Sequence, residues 1–282
     1  MSVSPTVLYA ETHIMDSART GRQYRITVSL PYSYQTPSAE GWPFPVVQKW
    51  PVVFLLDANW YFGMVTDMVR SMAWCGGTRD AIVVGIGYPA SEDAQDAWME
   101  AFARRNADFT AVRDMELENE RQAFTKRPVQ TGDAERFHQF IRDELIPFVE
   151  HNYRVDASRR ILAGHSRGAN FAAYALFEDP ALFNSFIIAS CGPSDEDRYI
   201  FKREEAYAKA HKTLATRVFL SAGELEEEAE STTVTDTLRL AAVLESRKYE
   251  GLSLVKRVFP ELNHCEVIAP SFQAGLKFAL TV

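Results

Sequence analysis

The pentapeptide Gly164-His165-Ser166-Arg167-Gly168 constrains this chain more than any other stretch, because of what flanks it. Residues 160–163 before it are mostly apolar and predict a strand. Residues 169–177 after it are almost continuously apolar and predict a buried helix. A strand that turns into a helix through G-x-S-x-G makes so tight a corner that the serine is held in a strained backbone conformation. Only small residues fit two positions to either side. The corner raises the hydroxyl at the C-terminal edge of a sheet, within reach of a base. The pattern therefore marks Ser166 as a nucleophile.

The other apolar runs agree with such a sheet. Residues 24–30 alternate and predict a strand with one wet face. Residues 52–56 and 81–87 are continuous apolar runs of the kind buried on both faces, and further strands are expected at 185–190, 217–222 and 252–259. Helical patterns lie between them. The clearest is 134–153, where Phe137, Phe140, Ile141, Leu145 and Phe148 share one helical face; the others are 233–249 and 271–280. Strands alternating with helices predict an α/β fold, with a mostly parallel central sheet covered on both faces. The expectation is a single domain over residues 1–282, with residues 31–51 as a loop. Two polar stretches interrupt the alternation, 91–131 and 194–213. The first is long for a connection; it reads as an inserted cap or binding loop, or equally as a solvated helical decoration. The second could also overhang the site.

Net charge is −8 and the pI about 5.4, with no basic stripe. This argues against nucleic acid and against an anionic membrane surface as partners. No apolar run reaches the length of a membrane span, and residues 1–10 lack the regions of a signal peptide. Cys75, Cys191 and Cys265 form no C-x-x-C, so neither a disulfide framework nor a zinc site is expected; all three read as small buried hydrophobes. Gly85-Ile86-Gly87-Tyr88-Pro89-Ala90 fits a dinucleotide fingerprint, but Pro89 and the polar segment beyond it deny the helix that fingerprint needs. A cytoplasmic protein without metal or cofactor is expected, of unspecified oligomeric state.

A serine hydroxyl needs an imidazole to take its proton and a carboxylate to orient that imidazole. On a corner of this kind the chain order is serine, acid, histidine. His264 lies in a loop after the run ending at Phe259 and before the last helix, the position of a base. The acid belongs after a strand end between Ser166 and His264. The run 217–222 closes at Gly223, and Glu224-Leu225-Glu226-Glu227-Glu228 follows. Most of such an acidic run suits the start of a helix; Glu226 is the first choice for the acid and Glu224 the second. An oxyanion needs two backbone N–H groups. Arg167, following the nucleophile, supplies one, and Asn59, in the loop after the first buried run, supplies the other. Asp57 braces that loop. His165 reads as packing beside the site, and Cys265 as a buried thiol. Arg167, Arg104 and Arg105 hint at an anionic substrate.

These stretches together resemble the α/β-hydrolase esterases that include ferric-enterobactin and bacillibactin esterases. More distant relatives are S-formylglutathione hydrolases, feruloyl esterases and mycolyltransferases. The resemblance rests on Thr20-Gly21-Arg22-Gln23-Tyr24-Arg25-Ile26, Phe54-Leu55-Leu56-Asp57-Ala58-Asn59 and Val84-Gly85-Ile86-Gly87-Tyr88-Pro89. It continues through Leu145-Ile146-Pro147-Phe148-Val149-Glu150, the serine pentapeptide, Ser221-Ala222-Gly223-Glu224-Leu225-Glu226 and Asn263-His264. It implies the α/β-hydrolase fold, Glu226 as the acid and Asn59 as the second oxyanion donor. The activity it implies is hydrolysis of a carboxylic ester through an acyl-enzyme, on a siderophore-type or other small-molecule ester. Acyl transfer to another acceptor, or a non-enzymatic binding role on the same fold, are the alternatives.

Overall fold

The apolar runs pair side by side into one eight-stranded sheet. The structure is a computed structural model that describes residues 7–34, 48–192, 199–228 and 231–281. In chain order the strands are β1 (Ala10–Asp16), β2 (Gln23–Ser29), β3 (Trp50–Leu55), β4 (Ile82–Gly87), β5 (Val155–His165), β6 (Ser185–Ala189), β7 (Arg217–Gly223), β8 (Glu227–Glu228), β9 (Ser231–Thr232) and β10 (Ser253–Phe259). The helices are α1 (Ala58–Trp74), α2 (Ala94–Phe109), α3 (Met115–Thr125), α4 (Ala134–Phe140), α5 (Ile146–Asn152), α6 (Arg167–Glu178), α7 (Tyr199–Ala210), α8 (Thr233–Arg247) and α9 (Ile268–Leu280). The sheet order is β1-β2-β4-β3-β5-β6-β7-β10, and β8 pairs with β9 in a separate ribbon. β2 is antiparallel to both neighbours, and every pair from β4 to β10 is parallel. The mostly parallel sheet expected from the sequence is therefore present.

Helices α1 and α9 cover one face, and α5, α6 and α8 pack on the other. Every residue of β3, β4 and β6 is buried. Burial on both faces leaves no side for polar residues, so these strands carry no alternation. β2, beside the outermost strand, alternates as expected, with Tyr24, Ile26 and Val28 fully buried.

One step in the topology positions the site. From β3 the chain moves outward to β4, then crosses back to lay β5 on the other side of β3. The helices after β3 and β5 leave on opposite faces of the sheet. A crevice opens between their strand ends, and such a switch point is where an open α/β sheet offers room for a ligand.

Several elements differ from the sequence reading. α1 was legible only as a loop at its start, although Phe62, Val65, Val69 and Ala73, all buried, repeat at helical spacing. β1 is largely exposed on both faces and carries no pattern. The helix expected over 134–153 is α4 and α5 joined through a π turn, Ile141–Leu145, which keeps Ile141 and Leu145 buried. Residues 91–131 form α2 and α3, with Arg105, Asn106, Asp108 and Glu118 buried and most of α3 facing outward. Asp108 accepts hydrogen bonds from Arg22 at 2.5 Å, Tyr88 at 2.8 Å and Tyr24 at 3.0 Å, so the polarity of this stretch is spent on internal bonds.

Part of the loop expected at 31–51, residues 35–47, lies outside the described residues, as do 1–6 and the start of the second expected insertion, 194–198. The remainder of that insertion contains α7. Cys191 is buried, but Cys75 and Cys265 are exposed, against expectation. Cys75 ends α1 where the chain turns outward, and Cys265 stands on the outer loop before α9. Among the described residues no helix is long and apolar enough to cross a membrane.

Candidate active site

β5 ends at His165 and α6 begins at Arg167, so Ser166 alone makes the turn. Its backbone sits at φ 59°, ψ −124°, a region that costs a residue with a side chain about 1–3 kcal/mol. Bonds on both sides hold it there. Its N–H donates to the Ala189 carbonyl at 2.9 Å, and its own carbonyl accepts from Ala169 and Asn170 at 2.8 and 3.1 Å. A Cβ on Gly164 would lie 2.4 Å from the Gly168 carbonyl oxygen. The requirement for small residues is thus a direct contact between the end of the strand and the start of the helix.

Ser166 Oγ lies 3.0 Å from His264 Nε2, and His264 Nδ1 lies 2.6 Å from Glu226 Oε2. The carboxylate side chain is 1% exposed and the imidazole 48%, so the carboxylate is shielded while the ring is open to solvent. Glu226 closes a 3-10 turn, Glu224–Glu226, directly after β7. Its Oε1 accepts from the Gly223 N–H at 2.6 Å and from the Ser190 hydroxyl at 2.8 Å. A Cβ on Gly223 would lie 2.3 Å from the Leu262 carbonyl oxygen, and the Leu225 N–H donates to that same oxygen at 3.0 Å. The Glu224–Glu226 turn and the loop of His264 therefore press directly on one another. Asn263 shapes that loop, its Oδ1 accepting from the N–H groups of Cys265 and Glu266 at 3.0 and 3.1 Å.

The other glutamates take separate work. Glu224, the second choice for the acid, is exposed and does not meet His264; its Oε2 accepts from the Glu261 N–H at 2.9 Å and ties the two loops together. The acidic run does not open a helix as expected: it forms the 3-10 turn and β8, and Glu227 reaches across to the first turn of α8, accepting from the Thr235 N–H and hydroxyl at 2.9 and 2.6 Å. The side chain of Glu228 lies outside the described residues.

The backbone N–H groups of Arg167 and Asn59 have no acceptor among the described residues. They stand in the first turns of α6 and α1, after the two strands that flank the crevice. The Asn59 side chain is fixed to Tyr88 by two bonds, of 2.7 and 3.0 Å. Asp57, at φ 55°, ψ 38°, is buried beneath this turn and accepts a two-pronged contact from Arg105 at 2.8 and 2.6 Å. Asp57 does brace the loop. Arg105 is consumed in doing so and cannot also meet an anionic substrate as the sequence suggested. Burial alone would lower its pKa, but the Asp57 carboxylate reverses the direction and raises it. Arg104 is engaged too, donating to the Gln23 carbonyl at 2.7 Å and lying over the Tyr88 ring. The His165 ring packs 4.6 Å from that of His264, and burial holds its pKa down to about 3, so it is neutral packing, as expected.

Sequence reasoning missed Ser190 and the clamp of Arg105. Ser190 was visible only as the polar end of an apolar run; its φ of 57°, which turns it toward Glu226, has no signature in composition.

An imidazole bridging a hydroxyl and a buried carboxylate can remove the hydroxyl proton and later return one to a leaving group. Two free N–H groups at helix starts can receive an oxyanion. The family described as "Putative esterase" matches residues 17–264. The chain is similar to the ferri-bacillibactin esterase BesA of Bacillus subtilis, 29% identical over 280 residues, 98% of this chain and 91% of the relative. Its fold is similar to that of the BES protein from Bacillus cereus, with TM-score 0.80, 26% identity and 100% of both chains covered. It is also similar to the siderophore hydrolase EstA from Aspergillus nidulans, with TM-score 0.77, 21% identity and 99% and 96% covered. The fold is that of the α/β-hydrolases.

Proposed function

The chain belongs to the "Putative esterase" family and is a carboxylic ester hydrolase; from that premise we propose that Ser166, His264 and Glu226 are its catalytic triad and that it cleaves a siderophore-type ester or another small-molecule ester. The hydrogen-bonded chain from Ser166 Oγ through His264 to the buried Glu226 carries this reading.

His264 Nε2 takes the Ser166 proton as Oγ attacks the ester carbonyl carbon. The electron pair of the carbonyl double bond moves to oxygen, which the N–H groups of Arg167 and Asn59 receive. The tetrahedral intermediate then expels the alcohol, whose oxygen takes the proton from Nε2, and an acyl-enzyme remains. Water repeats the sequence and releases the acid. Glu226 accepts from Nδ1 throughout, keeping Nε2 free as the base and stabilising the imidazolium.

The siderophore class is supported by the names of similar proteins, a ferri-bacillibactin esterase and a siderophore hydrolase. In this reading the whole chain acts as one domain, with residues 91–131 and the described part of 194–213 as its cap. The aromatic cluster of Trp60, Trp98, Phe102 and Phe124, which joins the Asn59 turn to α2 and α3, supports the first of these. A cytoplasmic setting is supported by the exposed free thiols of Cys75 and Cys265, which suit a reducing compartment. Hydrolysis of p-nitrophenyl esters, acetate through octanoate, by wild type and Ser166→Ala tests the mechanism. The variant should lose roughly four to six orders of magnitude in kcat; wild-type turnover by Ser166→Ala would sink it. A trilactone siderophore assayed beside them tests the substrate class.

A further inference from the structure

Arginines gather at the crevice, and the fold engages most of them. Arg105 is paired with Asp57, and Arg121 lies 3.2 Å from Glu120 and over the Phe102 ring. Arg167, adjoining Ser166, differs. Its side chain is half-buried, yet among the described residues it has no hydrogen bond and no carboxylate at ion-pair distance. It lines a narrow cleft with Phe109, Asp114, Asn170, Tyr174 and Tyr199. Asp114 is the acid of that cleft, but it caps α3 instead, accepting from the Leu117 N–H at 2.9 Å.

A guanidinium drawn out of water without a partner is costly to the free protein. Burial lowers its pKa to about 10, the charges of Arg105 and Arg121 push the same way, and Asp114 and Glu120 only partly oppose them. The arrangement makes sense when something outside the chain brings the negative charge. The planar fork of an arginine matches two neighbouring anionic oxygens, and Phe109, Tyr174 and Tyr199 line the same cleft, with Tyr174 and Tyr199 stacked on one another.

We propose that the Arg167 side chain and this cleft receive a pair of neighbouring anionic oxygens on the ester substrate, as in a carboxylate or a metal-bound catecholate. The proposal rests on Ser166 being the nucleophile, because only then does the arginine that lines the cleft directly follow the reacting residue in the chain. Arg167 then acts twice. Its backbone N–H meets the oxygen that becomes charged during reaction, and its side chain meets a group already charged in the substrate. That side chain makes this residue specificity-determining.

The test uses matched ester pairs with wild type, Arg167→Leu and Arg167→Lys. Phenyl acetate against 3-carboxyphenyl acetate places the charge on the alcohol side. p-Nitrophenyl butyrate against mono-p-nitrophenyl succinate places it on the acyl side. The readout is the ratio of kcat/KM for the charged member to that for the neutral one, which cancels any change common to both. Wild type should favour the charged member of at least one pair. Arg167→Leu should lower that ratio about 10- to 100-fold, and Arg167→Lys should keep part of it. Calorimetric binding of succinate and of the ferric complex of 2,3-dihydroxybenzoate distinguishes the two sources of charge; the one that Arg167→Leu weakens is the class recognised. Ratios unchanged within twofold in both pairs, with both ligands binding wild type and Arg167→Leu alike, would overturn the proposal and leave the triad intact. Failure of the triad instead shows as neutral-ester turnover surviving in Ser166→Ala, and the calorimetry still decides the anion site, since it needs no turnover.

Discussion

Glu226 gathers an imidazole N–H, a serine hydroxyl and a backbone N–H around one buried carboxylate. The Ser190 hydroxyl fixes the oxygen that His264 does not use. Ser190→Ala should therefore lower kcat about 3- to 10-fold at little changed KM, while Glu226→Gln, which disturbs the tautomer as well, costs roughly 10²- to 10⁴-fold. Saturation kinetics on p-nitrophenyl acetate measure both. Asp57 and Arg105 are a different case, a mutually bonded pair buried beneath the Asn59 turn. Arg105→Ala strands the carboxylate and should cost about 3–5 kcal/mol in urea unfolding, and replacing both by apolar residues should recover most of it. At this scale Ser166, His264 and Glu226 were legible because a corner, a chain order and a strand end each narrow the choice. Ser190 and Arg105 were not, since one depends on a single backbone angle and the other on a helix folding back onto β3.

Elements meet at the site through contacts too close for a side chain. Gly223 ends β7 where the loop after β10 passes over it. Gly223→Ala must push the two apart, so the separation of Glu226 from His264 should grow and kcat should fall at least 10-fold. Secondary structure by circular dichroism should be kept, because the clash lies beyond the strand pairing. A variant with wild-type kcat would show that the loops can part without disturbing the imidazole. The buried parallel strands were readable because two-sided burial demands unbroken apolar runs. β1 was hidden by its exposure, and α2 and α3 by charges that read as solvent-facing but are bonded inward, as at Asp108. The start of α1 was recognised for its free N–H and not for the helix that leaves it free.

For the molecule as a whole, acid is the condition to watch. Burial holds His138 to about 4 and His165 to about 3, both from 6.5. Each folded value lies below the unfolded one, so between them the unfolded chain binds more protons and stability rises with pH. The contribution of these two rings is therefore complete above about pH 6.5 and fades as pH falls toward 4 for His138 and toward 3 for His165. At pH 5 each histidine should subtract roughly 2 kcal/mol. His138→Phe should flatten the fall in Tm between pH 7.5 and 5 relative to wild type; parallel curves would show that His138 is not buried as a neutral ring. The same global view gives the sheet order a consequence in time. Asn59 and Ser166 follow adjacent central strands, β3 and β5, whereas the imidazole that Ser166 meets is 98 residues further on and arrives after β10 at the edge of the sheet. During synthesis the serine waits unarmed, and in the proposed mechanism a growing chain can hydrolyse nothing until its final edge docks.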